Sequence, residues 1–416
     1  MKILIKNTFV YDFGDADILI DEGIITQIEK GIDCSDADKV YCLDNCTVFP
    51  GFTDVHVHLR EPGYEYKETI LTGTKAAARG GYTTVFSMPN LNPVPDSMQN
   101  LSVQLDAIKK DAVINVVPYG SLTKGQKGSE LSDMEDMADF VCAYSDDGRG
   151  VQDKEMMREC MTNAARLGKV ISAHCEDESL LFGGYIHDGE YALKNGHKGI
   201  CSESEWGPVK RDIELLKETK AMYHVCHISA KETVELVRNA KKDGIDITCE
   251  TGPHYLVFND MDLKDDGGFK MNPPIRSESD RLALIEGIQD GTIDMIATDH
   301  APHSEEEKSK GLKSLNGIVG IETAFPVLYS ELVKKDIISL DRLIELMSTN
   351  PAKRFGVDTS LKVGSKANLT VFNLSEEYTV NSSDFLSKGR STPFENKKVS
   401  AVCYLTICNG KIAYEK

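Results

Sequence analysis

The stretch that most constrains this chain is 54–63, which reads Asp-Val-His-Val-His-Leu-Arg-Glu-Pro-Gly. His56 and His58 are two residues apart, and side chains two apart in an extended strand point to the same face. Two neutral imidazoles on one face form half of a metal site, because histidine is a preferred zinc ligand. Arg60 shares that face at the end of the strand, where its guanidinium can bind a carboxylate through two parallel hydrogen bonds. The stretch therefore predicts a metal site beside an anion-binding arginine.

Short, apolar, β-rich runs alternate with longer helical patterns from residue 48 onward. This alternation is typical of parallel strands joined by helices, and eight repeats favour a closed (β/α)8 TIM-type barrel. The alternative, a doubly wound open sheet, usually has a glycine-rich phosphate loop after its first strand, and this chain has none there. The eight runs are Val48–His58, Tyr82–Met88, Ile114–Tyr119, Asp139–Tyr144, Lys169–His174, Met222–Ile228, Ile245–Glu250 and Ile293–Thr298.

Both ends of the chain have the character of small β units. The first fifty residues alternate apolar and polar side chains between short turns, and strand-like runs return after the last helices. Asn409-Gly410 is typical of a tight hairpin turn. We therefore predict an α/β protein in which residues 1–50 and 360–416 form a small flanking β domain, and residues 51–359 form the barrel that carries the predicted metal site.

Composition limits the possible partners. The chain has 416 residues, 41% of them hydrophobic and 27% charged, as in a soluble globular protein. The net charge of −19 argues against nucleic acid or an anionic membrane surface as a partner, because both require a basic patch. No run is long and apolar enough to span a bilayer, and no secretory leader follows Met1, so we expect a cytoplasmic protein that acts on a small molecule.

The eleven cysteines are expected to be free thiols. Their number is odd and no Cys-x-x-Cys pair occurs, which favours a reducing compartment over disulfides. Cys175 and Cys226 each adjoin a histidine, so a thiolate ligand is the alternative. Alternation along a strand turns each thiol to the opposite face from its neighbouring histidine, which favours a structural role.

The residues that end the eight runs are rich in metal ligands. In a barrel of parallel strands, the reactive groups lie at the carboxyl ends of the strands. Seven of the ten histidines lie at or just past such an end, whereas His224 is interpreted as a core histidine because alternation places it opposite His227. Four histidines and two aspartates can hold two divalent metals, and this mixture favours zinc over magnesium. The end-of-run residues are His56, His58, Arg60, Asn90, Asp146, Asp147, His174, His227, Glu250, His254, Asp299, His300 and His303.

These residues also carry a family resemblance. The order His-x-His, His, His, Asp on strands one, five, six and eight resembles the amidohydrolase superfamily, which flanks its barrel with a small β domain built from both termini. Four motifs then resemble the dihydroorotase family, and the resemblance covers essentially the whole chain. They are Asp-Val-His-Val-His-Leu-Arg-Glu-Pro-Gly (54–63), Met-Pro-Asn (88–90), Lys-Met-Asn-Pro-Pro (270–274) and Ala-Thr-Asp-His-Ala-Pro-His (297–303).

The resemblance implies two zinc ions per subunit, with Asp299 as the catalytic acid and base. Many relatives bridge their metals with a carboxylated lysine on strand four, and this chain has no lysine there. It resembles the branch that uses an aspartate. We predict Asp147 as the bridge, since alternation turns Asp146 to the other face. The remaining implied ligands are His56, His58 and Asp299 for the more buried ion, and His174 and His227 for the second.

The resemblance further implies a homodimer that reversibly cyclises N-carbamoyl-L-aspartate to L-dihydroorotate in pyrimidine biosynthesis. Two alternatives stay open. A hydantoinase, dihydropyrimidinase or allantoinase would act on similar rings that lack the carboxylate. Arg60, Asn90 and the absent bridging lysine argue against these enzymes. A non-catalytic scaffold relative would typically have lost metal ligands, and no expected ligand is missing here. The implied substrate-binding residues are His58, Arg60, Asn90, Asn272, His303, Asn316 and Gly317.

Overall fold

The computed structural model describes residues 1–33 and 35–416. Its strands divide between a barrel and a second sheet at the chain termini. The strands are β1 (Lys2–Val10), β2 (Gly14–Asp21), β3 (Ile24–Glu29), β4 (Lys39–Cys42), β5 (Thr47–Pro50), β6 (Phe52–Val57), β7 (Tyr82–Ser87), β8 (Asn115–Pro118), β9 (Ala143–Tyr144), β10 (Val170–Ala173), β11 (Ile186–His187), β12 (Gly199–Ile200), β13 (Met222–Val225), β14 (Ile247–Thr251), β15 (Met295–Ile296), β16 (Leu369–Thr379), β17 (Lys398–Cys408) and β18 (Lys411–Glu415).

The longer helices connect the barrel strands and cover the outside of the ring. Several are strongly amphipathic, among them α4, which begins after the capping residue Asp153 and ends at Gly168, whose φ is +64°. The helices are α1 (Ile70–Arg79), α2 (Met98–Asp111), α3 (Met134–Met137), α4 (Lys154–Leu167), α5 (Glu190–Asn195), α6 (Glu203–Thr219), α7 (Lys231–Lys242), α8 (Pro253–Val257), α9 (Glu278–Asp290), α10 (Glu305–Lys308), α11 (Ala324–Leu328), α12 (Leu340–Ile344) and α13 (Asn350–Phe355).

Within the described residues, eight parallel strands form a closed ring. Strands β6, β7 and β8 pair in order, and so do β9, β10, β13, β14 and β15. Two parallel bridges close the gaps: Gly120 pairs with Tyr144 between β8 and β9, and Val57 pairs with His300 between the first and eighth strands. The predicted (β/α)8 barrel is confirmed. Its carboxyl-terminal end gathers the residues that follow each strand.

Strands from both chain ends form one sheet beside the barrel, in the order β18-β17-β16-β5-β1-β2-β3, with β4 paired to β1. The join between the two ends is antiparallel, with Leu369 opposite Pro50. The predicted turn at Asn409-Gly410 connects β17 to β18. The limits predicted for the two domains, 51–359 and 1–50 with 360–416, stay a prediction.

One predicted run was too long. Val48–His58 was expected to be a single strand, but the structure divides it at Gly51 into β5, in the terminal sheet, and β6, in the barrel. A Cβ atom at Gly51 would lie 2.2 Å from Oγ1 of Thr83, so the chain passes from one sheet to the other only because this residue is glycine. The apolar pattern does not reveal this break because both halves are buried.

The structure also bears on the membrane and cysteine expectations. Among the described residues, no helix combines the length and the apolar character that a bilayer crossing needs. The ten described cysteines are free thiols, and Cys175 and Cys226 are buried. Cys34 lies outside the described residues.

Candidate metal centre and substrate pocket

The predicted metal ligands converge at the carboxyl ends of the barrel strands. His56 lies in β6, and His174 and His227 follow β10 and β13. The ring centroid of His227 is 4.9 Å from that of His56 and 4.8 Å from that of His174. All six predicted ligands are buried. The residues brought together are His56, His58, Asp147, His174, His227 and Asp299.

Asp54 fixes the strand that carries the first two histidines. Its carboxylate accepts a hydrogen bond from the backbone N–H of His56 at 3.0 Å and from the hydroxyl of Thr298 at 2.6 Å. Thr298 follows the eighth barrel strand, so a fully buried carboxylate joins the first strand to the eighth directly below the site. A buried carboxylate with several donors is held in one orientation, and this fixes the backbone from which the imidazole of His56 projects.

Asp147 lies at the centre of the group. Its Oδ1 atom is 3.4 Å from Nε2 of both His56 and His227. The same oxygen is 3.6 Å from Nδ1 of His174, and Oδ2 is 3.6 Å from Nε2 of His58. The two oxygens of one carboxylate therefore face different imidazoles, which is the arrangement that a bridging carboxylate requires.

Asp146 turns away from this group, as alternation predicts. Its Oδ1 atom accepts hydrogen bonds from the backbone N–H groups of Leu122 and Thr123, at 2.8 and 3.2 Å. Burial raises the pKa of Asp146 to about 6, although these donors oppose the shift. Asp146 thus anchors the neighbouring loop, whereas Asp147 faces the histidines.

The hydrogen bonds of the first two histidines reveal where their lone pairs lie. His56 donates from Nδ1 to Oε1 of Glu250 at 2.8 Å, and His58 donates from Nδ1 to Oδ1 of Asn90 at 2.9 Å. A neutral imidazole that donates from Nδ1 keeps its lone pair on Nε2. That atom of His58 is 2.9 Å from Oδ1 of Asp299.

Nε2 of His56 is buried and has no hydrogen-bond partner within 1–33 and 35–416. It lies 3.5 Å from Oδ1 of Asp299. Lone pairs and a carboxylate this close repel one another unless a cation lies between them. The orphaned nitrogen, together with His58 and Asp299, fits a bound metal ion.

A second set of atoms fits a second ion. Nδ1 of His174 is 3.0 Å from Nε2 of His227, and both face Oδ1 of Asp147. The other nitrogen of His174 lies 3.6 Å from the carboxylate of Glu176. A carboxylate on the far nitrogen of a ligating imidazole orients the ring and increases its basicity.

The charges at the centre favour bound cations. Burial raises the pKa of the Asp147 and Asp299 carboxyls, but the surrounding imidazoles outweigh it and hold both below their usual range. Burial lowers the pKa of His174, but Asp147 and Glu176 raise it to about 10. A metal that binds here therefore replaces protons on the imidazoles.

A cavity of about 260 Å³ opens beside this centre. Every residue predicted to bind substrate lines it, and His56 lies beneath it, fully buried. A cavity of this volume fits a single small metabolite. The lining comprises His58, Arg60, Asn90, Asp147, Gly148, His174, His227, Asn272, Asp299, Ala301, His303, Leu315, Asn316 and Gly317.

Three residues of the cavity wall have left-handed backbone conformations. The φ angles are +63° at Arg60, +37° at His227 and +46° at Asp299. Such a conformation costs a residue other than glycine about 1–3 kcal/mol and persists only where the surrounding structure imposes it. Strained residues cluster at binding and catalytic sites, and these three side chains all face one cavity.

Two of the predicted substrate contacts already have protein partners. Asn90 donates from Nδ2 to the backbone oxygen of Asp147 at 2.8 Å and to its Oδ2 at 3.1 Å. Asn272 donates from Nδ2 to Oε1 of Glu176 at 2.9 Å. The amide of Asn90 therefore orients His58 and Asp147, and the substrate roles of both asparagines stay predictions.

Sequence reasoning missed the acidic residues behind the histidines. Glu250 was recognised only as the end of a run, yet its carboxylate accepts from His56 and lies 3.0 Å from Nε2 of His224. His224, interpreted as a core histidine, is indeed buried but belongs to this network. Glu176 was not singled out, although its position two residues after His174 was a usable signal.

Comparisons with known proteins agree with this geometry. A family model described as Dihydro-orotase-like matches residues 46–233. A dihydroorotase from Fusobacterium nucleatum is 53% identical over 414 residues, which cover 99% of this chain and 96% of that protein. A dihydroorotase from Bacillus cereus is 46% identical over 405 residues, which cover 96% of this chain and 94% of that protein.

Among solved structures, the L-hydantoinase (dihydropyrimidinase) from Arthrobacter aurescens superimposes with a TM-score of 0.87 at 27% identity. The match covers 100% of this chain and 96% of that one. Amidohydrolases of this kind are typically metal-dependent, in agreement with the clusters of potential ligands described above. The chain therefore belongs to the dihydroorotase family and is a cyclic amide hydrolase.

Proposed function

We propose that this chain catalyses the reversible cyclisation of N-carbamoyl-L-aspartate to L-dihydroorotate. One observation carries the choice of substrate. Arg60 lines the cavity beside the predicted metal ligands, and no carboxylate of the described residues lies within ion-pair distance of its guanidinium. Arg60 is partly buried, and a partly buried cation without a counter-charge is costly, so an anionic substrate would lower that cost.

We propose that two zinc ions occupy the centre, with Asp147 between them. Bound divalent metals supply the Lewis acidity that polarises a carbonyl group and lowers the pKa of water. The mixture of imidazole and carboxylate donors supports zinc. The proposed ligands are His56, His58 and Asp299 for the more buried ion, and His174 and His227 for the other.

Asp299 is the proposed catalytic acid and base. Its carboxyl is ionised, so in the hydrolytic direction it can accept a proton from the attacking water. As the bond between the ring carbonyl carbon and the ring nitrogen breaks, the same carboxyl returns that proton to the nitrogen. In the biosynthetic direction the steps reverse, and ring closure releases water.

Arg60 is the proposed anchor for the substrate carboxylate. Its Nε atom donates to the backbone oxygen of Pro302 at 3.1 Å, which fixes the plane of the guanidinium. A guanidinium fixed in this way can offer its outer N–H groups to a carboxylate as a planar fork. His303, Asn316 and Gly317 complete the proposed wall around that carboxylate and the ring.

The substrate assay tests this proposal against the two alternatives. Zinc-loaded protein is incubated separately with carbamoyl-aspartate, dihydroorotate, hydantoin and allantoin. We expect turnover of the two carboxylated compounds only. Turnover of only the uncharged rings would show a hydantoinase or allantoinase. No bound metal and no activity after zinc addition would support the scaffold alternative.

The oligomeric state and the cellular location of the protein are also part of the proposal. A homodimer and a cytoplasmic location remain predictions from the sequence and from the resemblance. Sedimentation of the purified protein tests the first, and fractionation of the source cells tests the second.

A further inference from the structure

The ammonium group of Lys67 is enclosed beside His303, a residue of the cavity wall. Lys67 is 9% exposed and lies in the loop between β6 and α1. Its Nζ atom is 2.9 Å from Oε1 of Glu307 and 3.2 Å from Nδ1 of His303. It also lies 5.6 and 5.5 Å from the ring centres of Tyr64 and Tyr66, within the range of cation–π attraction. The loop after the first strand is thereby joined to the loop after the eighth.

The imidazole of His303 has four polar neighbours, two at each nitrogen. Nε2 is 2.7 Å from the backbone oxygen of Asn316 and 3.3 Å from a terminal nitrogen of Arg60. Nδ1 is 3.2 Å from Nζ of Lys67 and 3.2 Å from Oε2 of Glu307. Each nitrogen therefore faces one obligatory donor and one obligatory acceptor.

The shortest of these contacts decides which nitrogen carries the proton. If Nδ1 carried it, the lone pair of Nε2 would lie 2.7 Å from the carbonyl oxygen of Asn316, and two acceptors that close repel strongly. If Nε2 carries the proton, it donates to that carbonyl, and Nδ1 accepts from Lys67. The second arrangement satisfies the closest pair and leaves the cation of Lys67 with a lone pair to bind.

We propose that Lys67 is a positioning residue, which holds His303 neutral with its proton on Nε2. The inference rests on the proposed function, because it assigns the groups that surround the substrate carboxylate. In this form His303 tethers the backbone at Asn316, a wall of the cavity. With its proton on Nε2, His303 also cannot accept a hydrogen bond from Arg60 at that atom. The terminal N–H groups of Arg60 therefore stay available to the substrate carboxylate.

The charges around His303 support this assignment. Burial, together with the cations of Arg60 and Lys67, lowers the pKa of His303 to about 3, so the imidazole is neutral under ordinary conditions. Without Lys67, Nδ1 would be free to bind a proton and to donate a hydrogen bond to the carboxylate of Glu307. The pKa of His303 would then rise toward its ordinary value, because one of the cations that oppose its protonation is gone.

The test compares Lys67→Met and Lys67→Arg with Lys75→Met, an exposed lysine in the neighbouring helix α1. Nitrogen-15 NMR of labelled histidines in the zinc-loaded protein reports the protonation of each ring nitrogen, and His303→Gln identifies the signals. We expect the wild type and Lys75→Met to show a neutral ring with Nε2 protonated. Lys67→Met should bring the titration of His303 toward its ordinary pH range, and Lys67→Arg should restore the wild-type signals.

Kinetics provide a second readout. Lys67→Met should raise the KM for carbamoyl-aspartate about tenfold or more, because the altered protonation of His303 disturbs the contact between Arg60 and the substrate carboxylate. Zinc content should be unchanged. A wild-type spectrum with the proton on Nδ1, or an unchanged His303 signal in Lys67→Met, would overturn the proposal. If Lys67→Met does not fold, the wild-type spectrum and Lys67→Gln decide the assignment. The NMR spectrum does not depend on turnover, so it tests the protonation of His303 independently of the proposed function. Inactivity toward carbamoyl-aspartate would refute the proposed function alone.

Discussion

Glu250 accepts a hydrogen bond at 2.8 Å from Nδ1 of His56, which lies two strands away around the barrel. Both side chains are buried, and the second carboxylate oxygen lies 3.0 Å from Nε2 of His224. Burial raises the pKa of Glu250, but the two histidines outweigh it and lower that pKa to about 2. An ionised carboxylate in this position fixes the ring orientation of His56 and directs its Nε2 lone pair toward the metal centre.

Replacing this carboxylate should weaken metal binding without removing a ligand. We expect Glu250→Gln to lower zinc affinity about 10–100-fold, because an amide holds the imidazole less firmly and makes it less basic. Competition with a chromogenic chelator measures the affinity directly. The matched control is Glu286→Gln, an exposed carboxylate in α9. Equal affinities for the two variants would contradict the role given to Glu250.

Substitution of Arg60 should affect substrate binding and spare the metals. Arg60→Met removes the proposed anchor for the substrate carboxylate. The loss of two charge-assisted hydrogen bonds is expected to lower kcat/KM for carbamoyl-aspartate on the order of 100-fold or more. Zinc content should stay at the wild-type value. Steady-state kinetics with metal analysis tests both statements, and unchanged kinetics would remove the argument for an anionic substrate.

The barrel, and the convergence of the predicted ligands at one end of it, could be predicted from the sequence because both depend on local patterns. Apolar runs mark the strands, and residues that follow parallel strands must meet at one end of the ring. His174 and His227 could be placed together on this basis alone. The position of Asp147 followed in the same way, because alternation continued just past the short strand β9 separates it from Asp146.

Contacts between side chains of different strands could not be predicted from the sequence. Whether Glu250 reaches His56 depends on the stagger between strands, which apolar patterning does not specify. The role of Lys67 depends on two loops folding against each other, and loop conformation has no periodic signal. The break at Gly51 was missed because the chain stays apolar while it passes from one sheet to the other.

Lys308 should be essential for the order of the substrate loop. Its buried ammonium donates to the backbone oxygens of Leu315 and Gly317, both at 2.7 Å, and to that of Lys270 at 3.0 Å. Lys308→Met leaves these carbonyls unpaired, at about 1–3 kcal/mol for each that stays buried. We expect faster hydrogen exchange across residues 311–317 and a higher KM. Lys310→Met, at an exposed position two residues away, is the control and should match the wild type.

The neutrality of His303 predicts how stability depends on pH. Burial and the neighbouring cations lower the pKa of His303 from 6.5 to about 3 in the folded protein. Between these values the unfolded chain binds a proton that the folded chain does not, so the free energy of unfolding falls as the solution is acidified. When the pH falls from about 7.5 to about 5, the free energy of unfolding should decrease in both proteins. The decrease in the wild type should exceed that in His303→Gln by on the order of 2 kcal/mol. Urea unfolding at both pH values measures this difference, and parallel losses in the two proteins would show that His303 is not held neutral.

The count and position of bound zinc test the central claim most directly, which is that Asp147 joins two metal sites at one end of the barrel. Anomalous diffraction at the zinc edge, combined with elemental analysis, should find two ions in the wild type, one beside His56 and His58 and one beside His174 and His227. Asp147→Ala should lose metal and turnover, whereas Asp146→Asn should keep both ions. Two zinc ions retained in Asp147→Ala, or zinc found away from these histidines in the wild type, would contradict the account.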